Sequence, residues 1–199
     1  MAASRMLRLV PSESALLVCD MQDKFRNHIQ YFPQIVEVTR RMIEAAKLLD
    51  IKIVATEQNP NGLGHTVAEL GLHKHNVPVF TKTKFSMCAP DLRNELGTGI
   101  KSVLICGIEA HVCVYHTAID FQEKGFNVHV LVDGSSSRSM VDRIYAYKQL
   151  ERAGINLSTS ECVILGLVGD SVHGKFKAVQ RLIKESAPDT GLLANISHV

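Results

Sequence analysis

Three short stretches of this chain place chemically capable side chains directly after apolar runs. The first is Val18-Cys19-Asp20-Met21-Gln22-Asp23-Lys24-Phe25. A carboxylate that closes an apolar strand loses part of its hydration, which suits Asp20 to taking up a proton. The plainer reading of Asp20 is a turn or helix cap, where Asp is common. The second stretch is Lys82-Thr83-Lys84-Phe85-Ser86. A lysine entering a cleft at a strand end can hold an anion, although most lysines only solvate a surface. The third is Cys106-Gly107-Ile108-Glu109-Ala110-His111-Val112-Cys113-Val114. Gly107 permits a tight turn. Cys113 then falls in the first turn of the next helix, where backbone N–H groups and the helix dipole favour a thiolate and can hold an oxyanion. Free cysteines are more often inert core residues, and Cys19 and Cys106, inside their strands, read that way. Cys113 differs because strand, glycine, turn, cysteine and helix follow one another as in a nucleophile elbow.

Other elements must bring these residues together. Residues 15–19, 51–56, 77–81, 103–106 and 126–132 are apolar runs of strand length. Helical spacing or helix signals occupy 34–49, 90–96, 112–124, 140–153 and 172–184, while 157–165 reads as a last strand mixed with an irregular segment. Strands apolar throughout are buried on both faces, which implies a parallel sheet covered by helices. Strand–helix alternation implies right-handed crossovers. The expected fold is therefore α/β: a three-layer α/β/α doubly wound sandwich with a mainly parallel, about six-stranded sheet, in a single domain over 1–199. Ligands in such folds bind beyond the carboxyl ends of the strands. Asp20, Glu57, Lys82, Gly107 and Asp133 all read as lying just past such ends.

Composition narrows the classes. With 46% hydrophobic and 21% charged residues the chain has the balance of a globular core rather than a disordered one. A formal charge of +2, with Lys and Arg scattered, gives no reason to expect a nucleic-acid or membrane-surface partner. No apolar run approaches the ~18 residues of a membrane span. The five cysteines are odd in number and form no CxxC pair, which argues against disulfides and a zinc knuckle and for a reducing compartment. The expected location is the cytosol. The basic, acid-free first ten residues make a mitochondrial leader fragment the alternative.

Together the three segments resemble the isochorismatase-like cysteine hydrolases over nearly the whole chain. That family's pattern has DMQ-x-x-F after the first strand, K-x-x-[FY]-S after the third and G-x-x-x-x-x-C-V after the fourth. It is met by Asp20-Met21-Gln22 with Phe25, by Lys82 with Phe85-Ser86, and by Gly107 with Cys113-Val114. Thr56-Glu57-Gln58, Gly62-Leu63-Gly64, Gly107-Ile108-Glu109-Ala110 and Ser135-Ser136-Ser137-Arg138-Ser139 extend the resemblance to the eukaryotic isochorismatase domain-containing proteins. The resemblance implies that Cys113 attacks a carbonyl or related electrophile, that Asp20 takes the thiol proton and then activates water, and that Lys82 pairs with Asp20 and stabilises the thiolate. It also implies a cis peptide at Ile108–Glu109, turning the Glu109 amide toward the Cys113 amide as an oxyanion hole. Gln22, Phe25, Glu57, Gln58 and Phe85 are expected around the substrate pocket. Lys84 is a rival for the lysine role, but Lys82 has the family's spacing to Ser86.

One departure is informative. Nicotinamidases of this family carry an Asp-x-His metal motif after the second strand. Here Thr56-Glu57-Gln58-Asn59-Pro60 lacks the histidine, and His65 alone is a poor site, so no metal and no cofactor are expected. His111 is expected to be a pocket wall or a solvated histidine rather than the base.

The expected function is hydrolysis of a small amide, imide or related carbonyl compound through a covalent thioester. Three alternatives stand beside it: a catalytically reduced binding or scaffold protein, a redox protein using Cys113, and an isochorismate-type vinyl-ether hydrolase. The intact Asp20, Lys82 and Cys113 argue against the scaffold. The redox reading lacks a resolving cysteine nearby in sequence, with Cys106 expected inside its strand. An apolar tail over 186–199 and a helix carrying Ile144, Tyr145, Tyr147 and Leu150 lead us to expect a homodimer or higher even homo-oligomer.

Overall fold

In the computed structural model, residues 8–192 are described. Most of the leader-like start (1–7) and the end of the tail (193–199) lie outside the described residues. The chain alternates strands β1 (Ser14–Cys19), β2 (Lys52–Gln58), β3 (Val79–Lys82), β4 (Ser102–Ile108), β5 (Asn127–Ser136) and β6 (Asn156–Ser158) with helices. The helices are α1 (Phe32–Leu48), the single turn α2 (Pro60–Leu63), α3 (Pro90–Leu96), α4 (Tyr115–Glu123), α5 (Met140–Arg152), α6 (Ser160–Val168) and α7 (Phe176–Ile183). Among the described residues, no helix is long and apolar enough to cross a membrane.

All six strands are parallel, in the order β3-β2-β1-β4-β5-β6. The sheet period of two splits each buried strand between two cores. Leu16, Val18, Ile53, Ala55, Leu104 and Cys106 face the layer that contains α1, α6 and α7. Ala15, Leu17, Cys19, Val54, Val103, Ile105 and Val130 face the layer of α3, α4 and α5. The expected three-layer sandwich is the observed fold.

Four local details differ from the sequence expectation. Residues 157–165 are not irregular: β6 is followed by α6, whose Val163, Ile164, Leu167 and Val168 are buried. Its start is fixed by the Asp133 carboxylate, which accepts from the Ser160 amide at 2.8 Å and hydroxyl at 2.6 Å. That partner is distant in sequence, so no local signal announced the helix. Asp133 itself lies within β5, as Glu57 does within β2 and Gly107 within β4, because pairing continues past the apolar runs. Residues 112–124 do not begin as an α-helix. Ala110–Val114 form one π turn, in which the Glu109 carbonyl accepts from Val114 at 3.2 Å, and α4 follows. The closing helix spans Phe176–Ile183 rather than starting at 172.

The described part of the tail folds back on its own chain. The Thr190 carbonyl accepts from the buried Arg143 guanidinium at 2.6 Å, and Leu192 packs on the second core.

Candidate active site

Strand order decides where a site can form. The chain leaves β1 toward β2 on one side, while β4 sits on its other side, so the loops after β1 and β4 diverge and open a crevice at their carboxyl ends. Asp20 is the first residue past β1. It adopts a left-handed backbone (φ 49°), which Asp tolerates better than most residues. Its amide donates to the Thr56 carbonyl at 3.2 Å, which turns the carboxylate into the crevice between β1 and β2. Only 1% of the residue is exposed. Oδ1 accepts from the Thr56 hydroxyl at 2.8 Å, and Oδ2 accepts from the Lys82 ammonium at 2.6 Å and from the Cys19 thiol at 3.7 Å.

Lys82 closes β3, and its ammonium crosses the top of β2 to reach Asp20. Its side chain is 6% exposed. Besides Asp20, Nζ meets Gln58 Oε1 at 2.7 Å and the carbonyls of Lys84 at 3.1 Å and Phe85 at 2.8 Å. Burial disfavours the ammonium, but the acidic groups of Cys19, Asp20 and Cys113 outweigh it and hold the Lys82 pKa above its ordinary value. A buried ion pair retains its charges only when such extra bonds satisfy it. Lys84, the rival, is exposed and contributes its backbone carbonyl alone to this cluster.

Cys113 reaches the crevice from β4. At Gly107 (φ 127°) a side-chain Cβ would fall onto the Cys19 carbonyl oxygen and within 2.8 Å of the Cys19 nitrogen, so only glycine allows β4 to pass this close to β1. The Ile108–Glu109 peptide is cis. The Glu109 carbonyl then accepts from Val112 at 3.0 Å and from Val114, but not from Cys113 between them. The Cys113 carbonyl accepts from the Thr117 hydroxyl at 2.6 Å, and that hydroxyl accepts from the Met87 amide at 2.9 Å, joining the turn to the segment after Lys82. The Cys113 residue is 7% exposed. Its thiol hydrogen-bonds with that of Cys19 and lies close enough to Lys82 to act on its charge.

The residues expected to line a pocket divide by what they touch. Gln22 is buried and its amide is fully engaged: Nε2 donates to the carbonyls of Gln58 and Gly64, and Oε1 accepts from the Gln58 amide at 2.7 Å. It braces the loop that carries Gln58, which in turn holds Lys82. Glu57 accepts from His65 and from the amide and hydroxyl of Thr66. Burial alone would raise its pKa, but these donors bring it below the ordinary value. Phe25 packs against the first core. Phe85 is the open member, 54% exposed and stacked on His116 with ring centroids 6.1 Å apart. His111 bonds through Nδ1 to the Ser137 hydroxyl at 2.9 Å. The Glu109 side chain points away toward Arg138, accepting from its amide at 3.0 Å.

Cys19 is the residue whose part in this cluster the sequence did not reveal. It was read as inert because it lies inside an apolar strand, yet it touches both Asp20 and Cys113. Burial, then the bond to Cys113, then the charge of Asp20 push its pKa well above the ordinary thiol value, so it stands as a neutral donor. Surface hollows of about 520 and 550 Å³ lie instead beside the amino ends of β4, β5 and β6, lined by Ser102 and Asn127 in one case and His129 and Asn156 in the other. Size does not mark the reactive end of this sheet; charge and nucleophile do.

Comparison with known proteins agrees with this arrangement. The isochorismatase domain matches residues 14–162. Isochorismatase domain-containing protein 2 of Homo sapiens is 51% identical over 197 residues, covering 97% of this chain and 95% of that protein. Among solved structures, MAR1 ribonuclease from Caenorhabditis elegans superposes with a TM-score of 0.89 at 55% identity, covering 94% of this chain and 97% of that one. YcaC from Escherichia coli, an octameric hydrolase of unknown specificity, superposes with a TM-score of 0.81 at 22% identity, covering 88% and 89%, and shares the fold. By sequence and by structure, the chain belongs to the isochorismatase family.

Proposed function

We propose that the protein is a cysteine hydrolase acting on a small amide, imide or related carbonyl compound through a thioester on Cys113. Family membership supports hydrolase function. The observation that carries the finer reading is the buried Lys82–Asp20 pair at 2.6 Å with the Cys113 thiol inside its field. In this reading Asp20 takes the Cys113 proton, and the sulfur attacks the carbonyl carbon. The amides of Glu109 and Cys113 receive the oxyanion. The C–N bond breaks as Asp20 returns the proton to the leaving nitrogen. Asp20 then removes a proton from water, which hydrolyses the thioester and restores the thiol. Lys82 holds Asp20 in place and favours the thiolate throughout. Gln58, Gln22 and Thr56 position these groups, and Phe85 stands at the rim.

A panel of small amides and imides tests this against wild type, Cys113→Ala and Asp20→Asn, with mass spectrometry for an acyl adduct on Cys113. Turnover lost in both variants and an adduct confined to Cys113 are the expected results; turnover retained in Cys113→Ala defeats the proposal. RNA belongs in the same panel, because the Caenorhabditis elegans relative is named a ribonuclease. The near-neutral charge of +2 and scattered Lys and Arg favour the small carbonyl substrate. RNA cleavage that survives Cys113→Ala would replace this reading. Chelation is expected to leave turnover unchanged, since no three His, Cys, Asp or Glu side chains among the described residues group as metal ligands.

We place the protein in a reducing compartment, the cytosol, on the ground that all five cysteines are free thiols. It is further expected to be a homodimer or higher even oligomer. Val141 and Tyr145, one turn apart on α5, are 65% and 61% exposed, an apolar patch that a second copy can cover. Light scattering at micromolar concentration reading a single chain, unchanged on concentration, would exclude this.

A further inference from the structure

Five cysteines lie in different surroundings, and only two are documented in mutual thiol contact. Cys106 is adjacent to Cys19 across the sheet but one residue out of register: Cys19 pairs with Gly107, and Cys106 with Val18. The two side chains therefore emerge on opposite faces. Cys106 lies in the first core, its thiol 3.8 Å from the Leu17 carbonyl and its pKa pushed up by burial to about 12. Cys19 and Cys113 share the second core, with their thiols in hydrogen-bonding contact. On the far side of Cys19 stands the Asp20 carboxylate, at 3.7 Å.

We infer that Cys19 is a resolving thiol for Cys113, and that a hydroperoxide converts the pair into a reversible intramolecular disulfide. The inference rests on the reading of Cys113 as the reactive thiolate. In the first step the Cys113 sulfur attacks the terminal oxygen of the hydroperoxide. The O–O bond breaks, and Cys113 becomes a sulfenic acid while the peroxide is reduced to an alcohol, or to water from hydrogen peroxide. In the second step Asp20 takes the Cys19 proton, the Cys19 sulfur attacks the Cys113 sulfur, and hydroxide leaves with that proton as water. Two thiols and one hydroperoxide give one disulfide, one alcohol and one water. Such a bond removes the nucleophile from hydrolysis without committing it to the irreversible sulfinic acid, and a dithiol restores it. The geometry supplies what a lone reactive cysteine lacks: a second sulfur in contact and a carboxylate on that sulfur.

The test treats the full-length protein with graded hydrogen peroxide, blocks free thiols, and maps peptides without reduction. A Cys19–Cys113 cross-linked peptide is expected. It should disappear on treatment with dithiothreitol as alkylation of Cys113 by iodoacetamide returns. In Cys19→Ser the same peroxide dose should carry Cys113 on to the sulfinic acid. Because the wild-type map needs no variant, a misfolded Cys19→Ser leaves the test intact. Direct passage of wild-type Cys113 to sulfinic acid overturns the inference, as does a disulfide to Cys88 or to a second chain. If Cys113 alkylates readily yet never cross-links, the resolving role falls and the nucleophile stands. If Cys113 neither alkylates nor oxidises, both fall.

Discussion

Asp20 and Asp133 carry the same sequence signal, an acid after an apolar strand run, and both are buried, at 1% and 8% exposure. Their surroundings are unlike. Asp133 lies within β5 and receives only neutral donors, the amide and hydroxyl of Ser160, so it caps α6. Burial, only partly offset by those bonds and the charge of Arg143, raises its pKa above the ordinary value. Asp20 lies where the strand order reverses, and there the sheet delivers an ammonium from β3 and two thiols to one carboxylate. A buried acid at a strand end is thus a position rather than a role. The role follows from what the neighbouring strands bring to it.

Variants of the two acids should separate these roles, with the largest effect at Asp20. Asp20→Asn is expected to lower hydrolysis by about 10²–10⁴-fold, the range for loss of a positioned acid–base group. It should also cost about 3–5 kcal/mol of stability, because Lys82 is left buried without its counter-charge. Lys82→Met should behave alike, and the double variant should regain stability but no turnover. Unchanged turnover in Asp20→Asn would erase the distinction between the two acids. Asp133→Asn, in contrast, is expected to cost about 1–3 kcal/mol in denaturant unfolding through its bonds to Ser160. It should leave the alkylation rate of Cys113 unchanged; a slowed rate would tie Asp133 to the site.

The smallest effect is one of sign with pH. The raised pKa of Asp133 means that its favourable contribution is complete below its ordinary value of 3.8 and is lost as pH rises through the folded value. The deficit of Asp133→Asn should therefore narrow as pH rises across that window. Glu57 has a lowered pKa, so its contribution is complete above its ordinary 4.5 and is lost as pH falls through the folded value. The deficit of Glu57→Gln should shrink toward acid. Unfolding curves from acid to neutral pH read both slopes, and equal signs would contradict the contrast in donors.

Much of the architecture was legible from local pattern. Continuous apolar runs such as Leu16–Val18 and Val103–Cys106 specify strands covered on both faces, and their alternation with helices specifies parallel order, because side-chain periods of 2 and 3.6 are properties of neighbouring residues. The same pattern placed Asp20, Lys82 and Cys113 at the reactive end of the sheet, and the requirement for glycine at 107 follows from its place between strand and turn. What spacing could not encode is which distant groups meet. Gln22 and Glu57 read as pocket residues, yet their polar atoms are used to brace the loops at 58–64 and 65–66. Residues 157–165 concealed a helix whose first amide is capped from β5. Cys19 and Cys106 carried identical local signals, and only the register of β1 against β4 sent one thiol into the first core and the other onto Cys113. A one-residue offset between parallel strands reverses the face a side chain occupies. That offset is fixed by tertiary packing, and it decides which thiol has chemistry beside it.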